Sequence, residues 1–222
     1  MLARRRDRLE AMKKELESAH GISVRIAVLD VRDRAAVDRF AQEHSSALDE
    51  TTALINNAGL AKGLSPIDKG DVDHWEQMID TNVKGLLYMT RAVLPHMRAK
   101  SRGHVVNIGS VAGFWTYPNG NVYSATKYAV RALTESMRLD LNGSGIRVSE
   151  ISPGLVETEF SQVRLDDATK AKAVYSGMTP LKAQDIAEAV LWCVDRPAHV
   201  NIQEIVLYPT DQASPRDVTR RP

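Results

Sequence analysis

Apolar positions recur at helical spacing from Asp7 to Ala19, with Leu9, Met12 and Leu16 on one face, and predict a first helix. Ser23 to Asp30 alternates and then ends in Ala27-Val28-Leu29, the pattern of a strand. A helix is predicted over 34–43, followed by a short, unbroken apolar strand, Thr52–Ile55. Strands covered on both faces of a parallel sheet have this unbroken character. A long helical stretch runs from Val72 to Lys100, with an interruption expected near Pro95. His104–Ile108 predicts a strand, 121–142 a helix, and Ile146–Ile151 another strand. A helix near Ala183–Val194 and a last strand, Ile202–Tyr208, complete the pattern. The Arg-, Pro- and Asp-rich tail Ala213–Pro222 is expected to fray. This alternation of strand and helix implies an α/β fold, a doubly wound parallel sheet with right-handed crossovers. Ligands in such sheets sit at the carboxyl ends of the strands.

The 222 residues suffice for one domain with a substantial core, so a single domain over 1–222 is expected. Apolar residues make up 43% and charged residues 26%, an ordinary globular balance. A formal charge of +1 gives no reason to expect nucleic acid or an anionic membrane surface as a partner. The longest apolar run falls well short of a membrane span, and the basic start Met1–Arg6 lacks the apolar stretch of a secretory signal. The single cysteine, Cys193, cannot form an intrachain disulfide, reads as a buried small hydrophobe, and points to a reducing cytoplasm.

The chemistry-bearing residues fall at strand ends. Tyr123 and Lys127 lie four apart on a predicted helix and share one face. A phenol titrates near 10, too high for proton transfer at neutral pH, and a neighbouring ammonium favours the phenolate. Alone, the pair also describes a solvated helix face. Ser110 stands thirteen residues before Tyr123, just past the strand His104–Ile108, where its hydroxyl can hold a carbonyl oxygen. Asn56-Asn57-Ala58-Gly59 ends the preceding strand, and Pro153-Gly154, with Thr158 soon after, follows Ile151. Asn82 is a polar break in a helical stretch. No metal-ligand set is assigned.

In this order and spacing the pieces resemble the short-chain dehydrogenase/reductase family, with a match from about Ala3 to Ala213. The resemblance implies a Rossmann-like fold and hydride exchange between a nicotinamide cofactor and a hydroxyl or carbonyl carbon. It implies a catalytic set of Asn82, Ser110, Tyr123 and Lys127. Tyr123 would pass the proton, Ser110 would hold the substrate oxygen, Lys127 would lower the phenol pKa and bind the nicotinamide ribose, and Asn82 would hold a water. For the cofactor it implies Asp30 and Val31 at the adenine, and Asn57, Ala58 and Gly59 along the adenosine. Pro153, Gly154, Val156 and Thr158 would fix the nicotinamide carboxamide. Ala3-Arg4-Arg5 resembles the strand end of NADP-preferring members, where Arg4 and Arg5 would grip a phosphate with planar donor forks. The same two arginines also read simply as basic residues near a helix start.

A closer likeness is to bacterial NADP-dependent 3-hydroxy acid and serine dehydrogenases. It rests on Asn107–Ser110, Gly120–Tyr123, Pro153–Val156, Thr158–Arg164 and Pro197–Ile202. It implies a small 3-hydroxy acid as substrate, with Arg164 on the carboxylate and Trp115 in the pocket beside Phe114 and Tyr117. Other ketones, aldehydes or β-ketoacyl substrates form the alternative, and a silent oligomer-forming paralogue a third reading. The family commonly pairs the equivalents of helices 72–100 and 121–142 across subunits, which implies a homotetramer or homodimer.

The chain departs from the family in one place: it holds no Gly-x-x-x-Gly-x-Gly turn. It begins where the family's second strand ends, so about 30 residues, a strand–helix–strand unit, are expected to be lacking. An internal start in the reading frame is the simplest expectation, and loss of tight cofactor binding the other. Either a gap of two strands or direct pairing of Ser23–Asp30 with Thr52–Ile55 is then expected, with apolar surface left exposed.

Overall fold

The computed structural model describes residues 1–221, and among these the strands form three separate ladders. The largest has four strands, β3 (Ala53–Asn56), β4 (Gly103–Ile108), β5 (Ile146–Pro153) and β8 (Glu204–Leu207), all parallel and in that spatial order. The central pair is almost wholly buried because helices cover both faces. Successive residues of β4 divide the core: Val105 packs with Val93, Met97, Val130 and Met137 of α5 (Leu86–Ala99) and α6 (Asn121–Asp140). Val106 packs with Ile151 and Cys193 under α9 (Ala183–Val194). This alternation is the period of an extended chain, and it makes the sheet two-sided.

The second ladder joins β1 (Leu2–Ala3) to β2 (Ala27–Val28), flanking α1 (Arg6–His20). Its short length reflects its partner: β2 is paired only where Leu2 and Ala3 lie beside it, so the strand expected over Ser23–Asp30 shrinks to two residues. Of the two arrangements expected of Ser23–Asp30, direct pairing with β3 does not form. The ladder that holds it stays separate from β3, as a gap in the sheet requires, and Leu2–Ala3 supplies a strand beside it. The expected exposure of apolar surface is present: Leu2, Val28 and Ile55 are 37%, 45% and 40% exposed. The third ladder pairs β6 (Val156–Glu157) with β7 (Leu181–Lys182), bracketing the short helices α7 (Phe160–Leu165) and α8 (Ala168–Ala173).

The helix α2 (Arg34–Glu43) forms where its pattern places it, since the Asp33 carboxylate caps it by accepting from Ala36 N at 2.9 Å. It is followed by the short helix α3 (Ser45–Asp49). The expected break in the Val72–Lys100 stretch lies elsewhere. α4 (Val72–Ile79) passes into a π-helical turn, Asp80–Gly85, and then into α5, while Pro95 stays inside α5. Pro95 and Arg91 are both exposed, so the carbonyl that the proline leaves without a donor faces water. The tail does not fray either. Thr219 N donates to Asp211 O at 2.8 Å, and Arg221 N to Gly177 O at 2.7 Å. The buried Asp211 carboxylate takes Arg221 as its cation at 2.8 Å. Pro222 lies outside the described residues.

Candidate active site

β4 delivers the serine. After Ile108 the chain passes Gly109 and enters a tight 3-10 turn, Val111–Gly113, which the Ser110 hydroxyl caps by accepting from Ala112 N at 3.1 Å. The Tyr128 hydroxyl donates to the Phe114 carbonyl and fastens the exit of this turn to α6. Tyr123 and Lys127 therefore rise from the first turns of α6 beside Ser110, and all three are buried. The Lys127 ammonium stands 5.9 Å from the Tyr123 ring centre and donates to the Ile108 carbonyl at 2.8 Å. The Ser110 hydroxyl lies close enough to the Tyr123 phenol to favour its ionised form.

The electrostatics reverse one expectation. Burial pushes the Tyr123 phenol up to about 12, and the nearby Ser110 hydroxyl and Arg164 guanidinium only partly offset it. Burial also pulls Lys127 down to about 8. Desolvation thus outweighs the neighbours that favour the phenolate, and at neutral pH the phenol keeps its proton.

Asn82 sits in the π-helical turn with its side-chain amide committed. Its Oδ1 accepts from Leu60 N at 2.8 Å, and its Nδ2 donates to Leu60 O at 2.8 Å and to Thr126 Oγ1 at 3.0 Å. The amide thus staples the loop after β3 to α6.

Arg164, on α7, reaches the same place. Its guanidinium lies 5.3 Å from the Tyr123 ring and 5.4 Å from the Tyr117 ring, and its buried Nη2 has no partner. Its backbone carbonyl accepts from Gly63 N at 2.8 Å, which fixes α7 over the cleft. The cleft is partly open to solvent and its free volume of about 20 Å³ has room for about one water. Lys62, His74, Trp75 and Asn121 line it with Tyr123 and Arg164. The first three were not singled out from the sequence, since the loop and α4 that carry them have no motif of their own, whereas Asn121 belongs to the Gly120–Tyr123 stretch at the start of α6. Trp115 is corrected: it is 63% exposed and lies outside the cleft, because the 3-10 turn points it to solvent. Phe114 turns instead under the Arg131 guanidinium, 4.3 Å away, and only Tyr117 of the three aromatics faces Arg164.

The cofactor positions form a second cluster at the strand ends. Asn57, Ala58 and Gly59 are exposed after β3. A methyl group on Gly59 would lie 3.4 Å from Asn82 Oδ1 and 3.7 Å from Lys127 Nζ, so the glycine leaves open a cradle beside the ammonium. Lys127 spends one of its three donors on Ile108, which leaves two for ribose hydroxyls. This donor set fits a nicotinamide ribose. Pro153, Gly154 and Val156 follow β5. There the Gln212 side chain accepts from Leu155 N at 2.8 Å, and Thr158 Oγ1 accepts from Phe160 N at 3.2 Å. Asp30 binds Arg32 through both side-chain oxygens, the shortest contact being 2.6 Å, and this pairing holds its carboxyl below the usual range. Val31 packs against Gly85 of the π-helical turn. Arg4 and Arg5 follow β1. Arg5 pairs with Glu159 at 3.3 Å, and Arg8, which drew no attention in the sequence, pairs with the same carboxylate at 2.6 Å.

A parallel sheet with a buried Ser–Tyr–Lys cluster at its strand ends is the architecture of the short-chain dehydrogenases, and their family model matches residues 1–169. The chain belongs to that family. It is 50% identical over 212 residues to the NADP-dependent 3-hydroxy acid dehydrogenase YdfG of Salmonella typhi, covering 95% of this chain and 84% of that protein. It is 43% identical to sulfoacetaldehyde reductase 2 of Chromohalobacter salexigens, over 96% of this chain and 84% of that one. Its structure superposes on the closed form of a serine dehydrogenase complexed with NADP+ with a TM-score of 0.90. That match has 45% identity and covers 100% of this chain and 88% of the other.

Proposed function

We propose that the chain is an NADP(H)-dependent oxidoreductase that interconverts the hydroxyl and carbonyl of a small 3-hydroxy acid. The observation that carries this reading is the buried, partnerless Arg164 Nη2 beside the Tyr123 ring: an unneutralised cation next to a proton donor calls for a substrate with an anionic end. The names of the two relatives and of the serine dehydrogenase agree with it.

The bound nicotinamide supplies or accepts the hydride. In reduction, Tyr123 donates its phenolic proton to the carbonyl oxygen as that oxygen gains charge, while the Ser110 hydroxyl holds the same oxygen. Arg164 pairs with the carboxylate and so sets the reacting carbon against Tyr123. Lys127 holds the ribose, and Asn82 fixes the π-helical turn against α6, where a water would connect Lys127 to solvent. Arg4 and Arg5 receive the 2′-phosphate, with Arg8 one turn further along α1. Asp30 and Val31 border the adenine, Asn57, Ala58 and Gly59 the adenosine, and Pro153, Gly154, Val156 and Thr158 the carboxamide.

Arg164 serves a sulfonate as well as a carboxylate, and identity to a sulfoacetaldehyde reductase favours a small sulfonated aldehyde as the second reading. A panel of 3-hydroxy acids, sulfonated alcohols and uncharged alcohols, each with NADP and NAD, tests both. Anionic substrates turn over with NADP, and Arg164→Ala raises their KM while sparing uncharged ones. An unchanged KM in that variant defeats the assignment. Quenching of NADPH fluorescence tests cofactor binding by this chain directly.

No helix among the described residues is long and apolar enough to cross a membrane. A cytoplasmic homotetramer or homodimer is part of the proposal. Leu191 and Trp192 on α9 and Val206 on the neighbouring β8 are 66%, 47% and 43% exposed, which supports self-association, and the buried Cys193 thiol fits a reducing compartment. Light scattering gives the oligomer's mass.

A further inference from the structure

Behind the catalytic cluster the sheet carries a row of polar residues where a hydrophobic core is expected. Asn56 of β3 is in register with Asn107 of β4, Asn107 with Glu150 of β5, and Glu150 with Glu204 of β8. The row crosses the whole four-stranded sheet at one level and faces α5 and α6. Its first half is fully satisfied: Asn56 Nδ2 donates to Thr90 Oγ1 at 3.0 Å and to Asn107 Oδ1 at 2.9 Å, and Asn107 Nδ2 donates to Thr134 Oγ1 at 2.9 Å. Its second half is not. Glu150 is 1% exposed, its Oε1 accepts from Ser152 Oγ at 2.7 Å, and its Oε2 has no partner.

A buried carboxyl with a bare oxygen costs stability, so its position calls for a reason. Glu150 lies directly behind the strand end that presents Ser110: a methyl group on Gly109 would stand 2.0 Å from its Oε1. From α6 the residues that face this row are Lys127, Arg131 and Thr134, spaced four and three apart on one side of the helix. Arg131 stands 3.6 Å from Glu204, with Glu135 close by, while Lys127, held on the Ile108 carbonyl at 2.8 Å next to Gly109, is the cation on the Glu150 side of the row. The remaining charged groups of this level, His104 and Arg147, lie on the opposite face, bonded to Ser149 and to carbonyls at the end of α9.

We propose that Glu150 is a positioning residue for the catalytic lysine: its carboxylate, buried behind the strand end, is the counter-charge that keeps Lys127 an ammonium. The arrangement has a self-adjusting quality. Burial and the neighbouring Glu204 raise the Glu150 carboxyl, so at low pH it is neutral and the buried anion is avoided. As pH rises it ionises, and it supplies negative charge as Lys127, drawn down to about 8, approaches the loss of its proton. The catalytic meaning rests on the role proposed for Lys127, but the test needs no turnover.

The full chain labelled with ¹³C at lysine Cε and glutamate Cδ is titrated by NMR, with Lys127→Arg and Glu150→Gln used for assignment. In Glu150→Gln the Lys127 midpoint is expected to fall by about half to one pH unit, a three- to tenfold loss of proton affinity. Glu150→Asp, which keeps the charge, recovers part of it. A folded Glu150→Gln chain with an unmoved Lys127 midpoint overturns the proposal. The unsubstituted chain offers an independent check: Glu150 must ionise at lower pH than Lys127 loses its proton, and the reverse order also overturns it. If substrates turn over, the alkaline limb of kcat/KM shifts to lower pH in Glu150→Gln, while NADPH affinity at neutral pH is retained.

Discussion

β4 and β5 are paired over six residues and buried along nearly their whole length, whereas β1 and β2 meet over two residues that are largely exposed. The first pair carries Ser110 and backs the helix bearing Tyr123 and Lys127. The second presents Arg4, Arg5 and Asp30. Groups that must hold a reacting atom within fractions of an ångström are thus set in a close-packed core, where a small displacement is resisted from all sides. The groups proposed to attract a phosphate sit on a surface ladder, where charge acts over a longer range and tolerates looser placement.

The largest effect that can break this contrast is at the phenol. Tyr123→Phe is expected to lower turnover by about 10²–10⁴-fold with NADPH binding retained, as steady-state rates and cofactor fluorescence would record. Next comes packing. Met97→Ala, at a side chain with 0% exposure, is expected to cost about 2–5 kcal/mol in urea unfolding. Val28→Ala on the exposed ladder should stay within about 0.5 kcal/mol, and equal losses at the two sites would erase the difference between the regions.

A third expectation concerns acid. Burial lowers His104 from 6.5 to about 4, so between these values the unfolded chain binds the proton and the native chain does not. Stability therefore falls as pH drops through that window, by on the order of 2–3 kcal/mol from this residue. His104→Gln should flatten that part of a pH-dependent melting curve. The smallest effect belongs to the surface: Arg5→Ala is expected to weaken NADPH binding by about five- to tenfold, less at high salt, with NADH unaffected.

Much of this was legible in the chain itself. The start of α2 could be read because Asp33 is a local cap, and the strand β3 because its apolar run is unbroken. Ser110, Tyr123 and Lys127 stood out by their spacing and Arg164 by a resemblance, and the four side chains lie together in the structure. What could not be read depended on neighbours distant in sequence. Pro95 breaks nothing because its freed carbonyl faces water, while the true irregularity, at 80–85, is a π turn whose Asn82 is bonded to Leu60 and Thr126. Trp115 and Tyr117 are alike on paper, and only the folded turn decides which one meets Arg164.

The sequence by itself determined the order of strands and helices and the identity of the proton-handling groups, because periodicity, caps and i,i+4 spacing are local properties. The tertiary structure alone decided their charge states. A phenol that its lysine neighbour was expected to acidify is instead raised to about 12, and the lysine lowered to about 8. Desolvation is summed over every element that closes around a group, and Glu150, from a strand that meets α6 only after folding, opposes it at Lys127 with its charge.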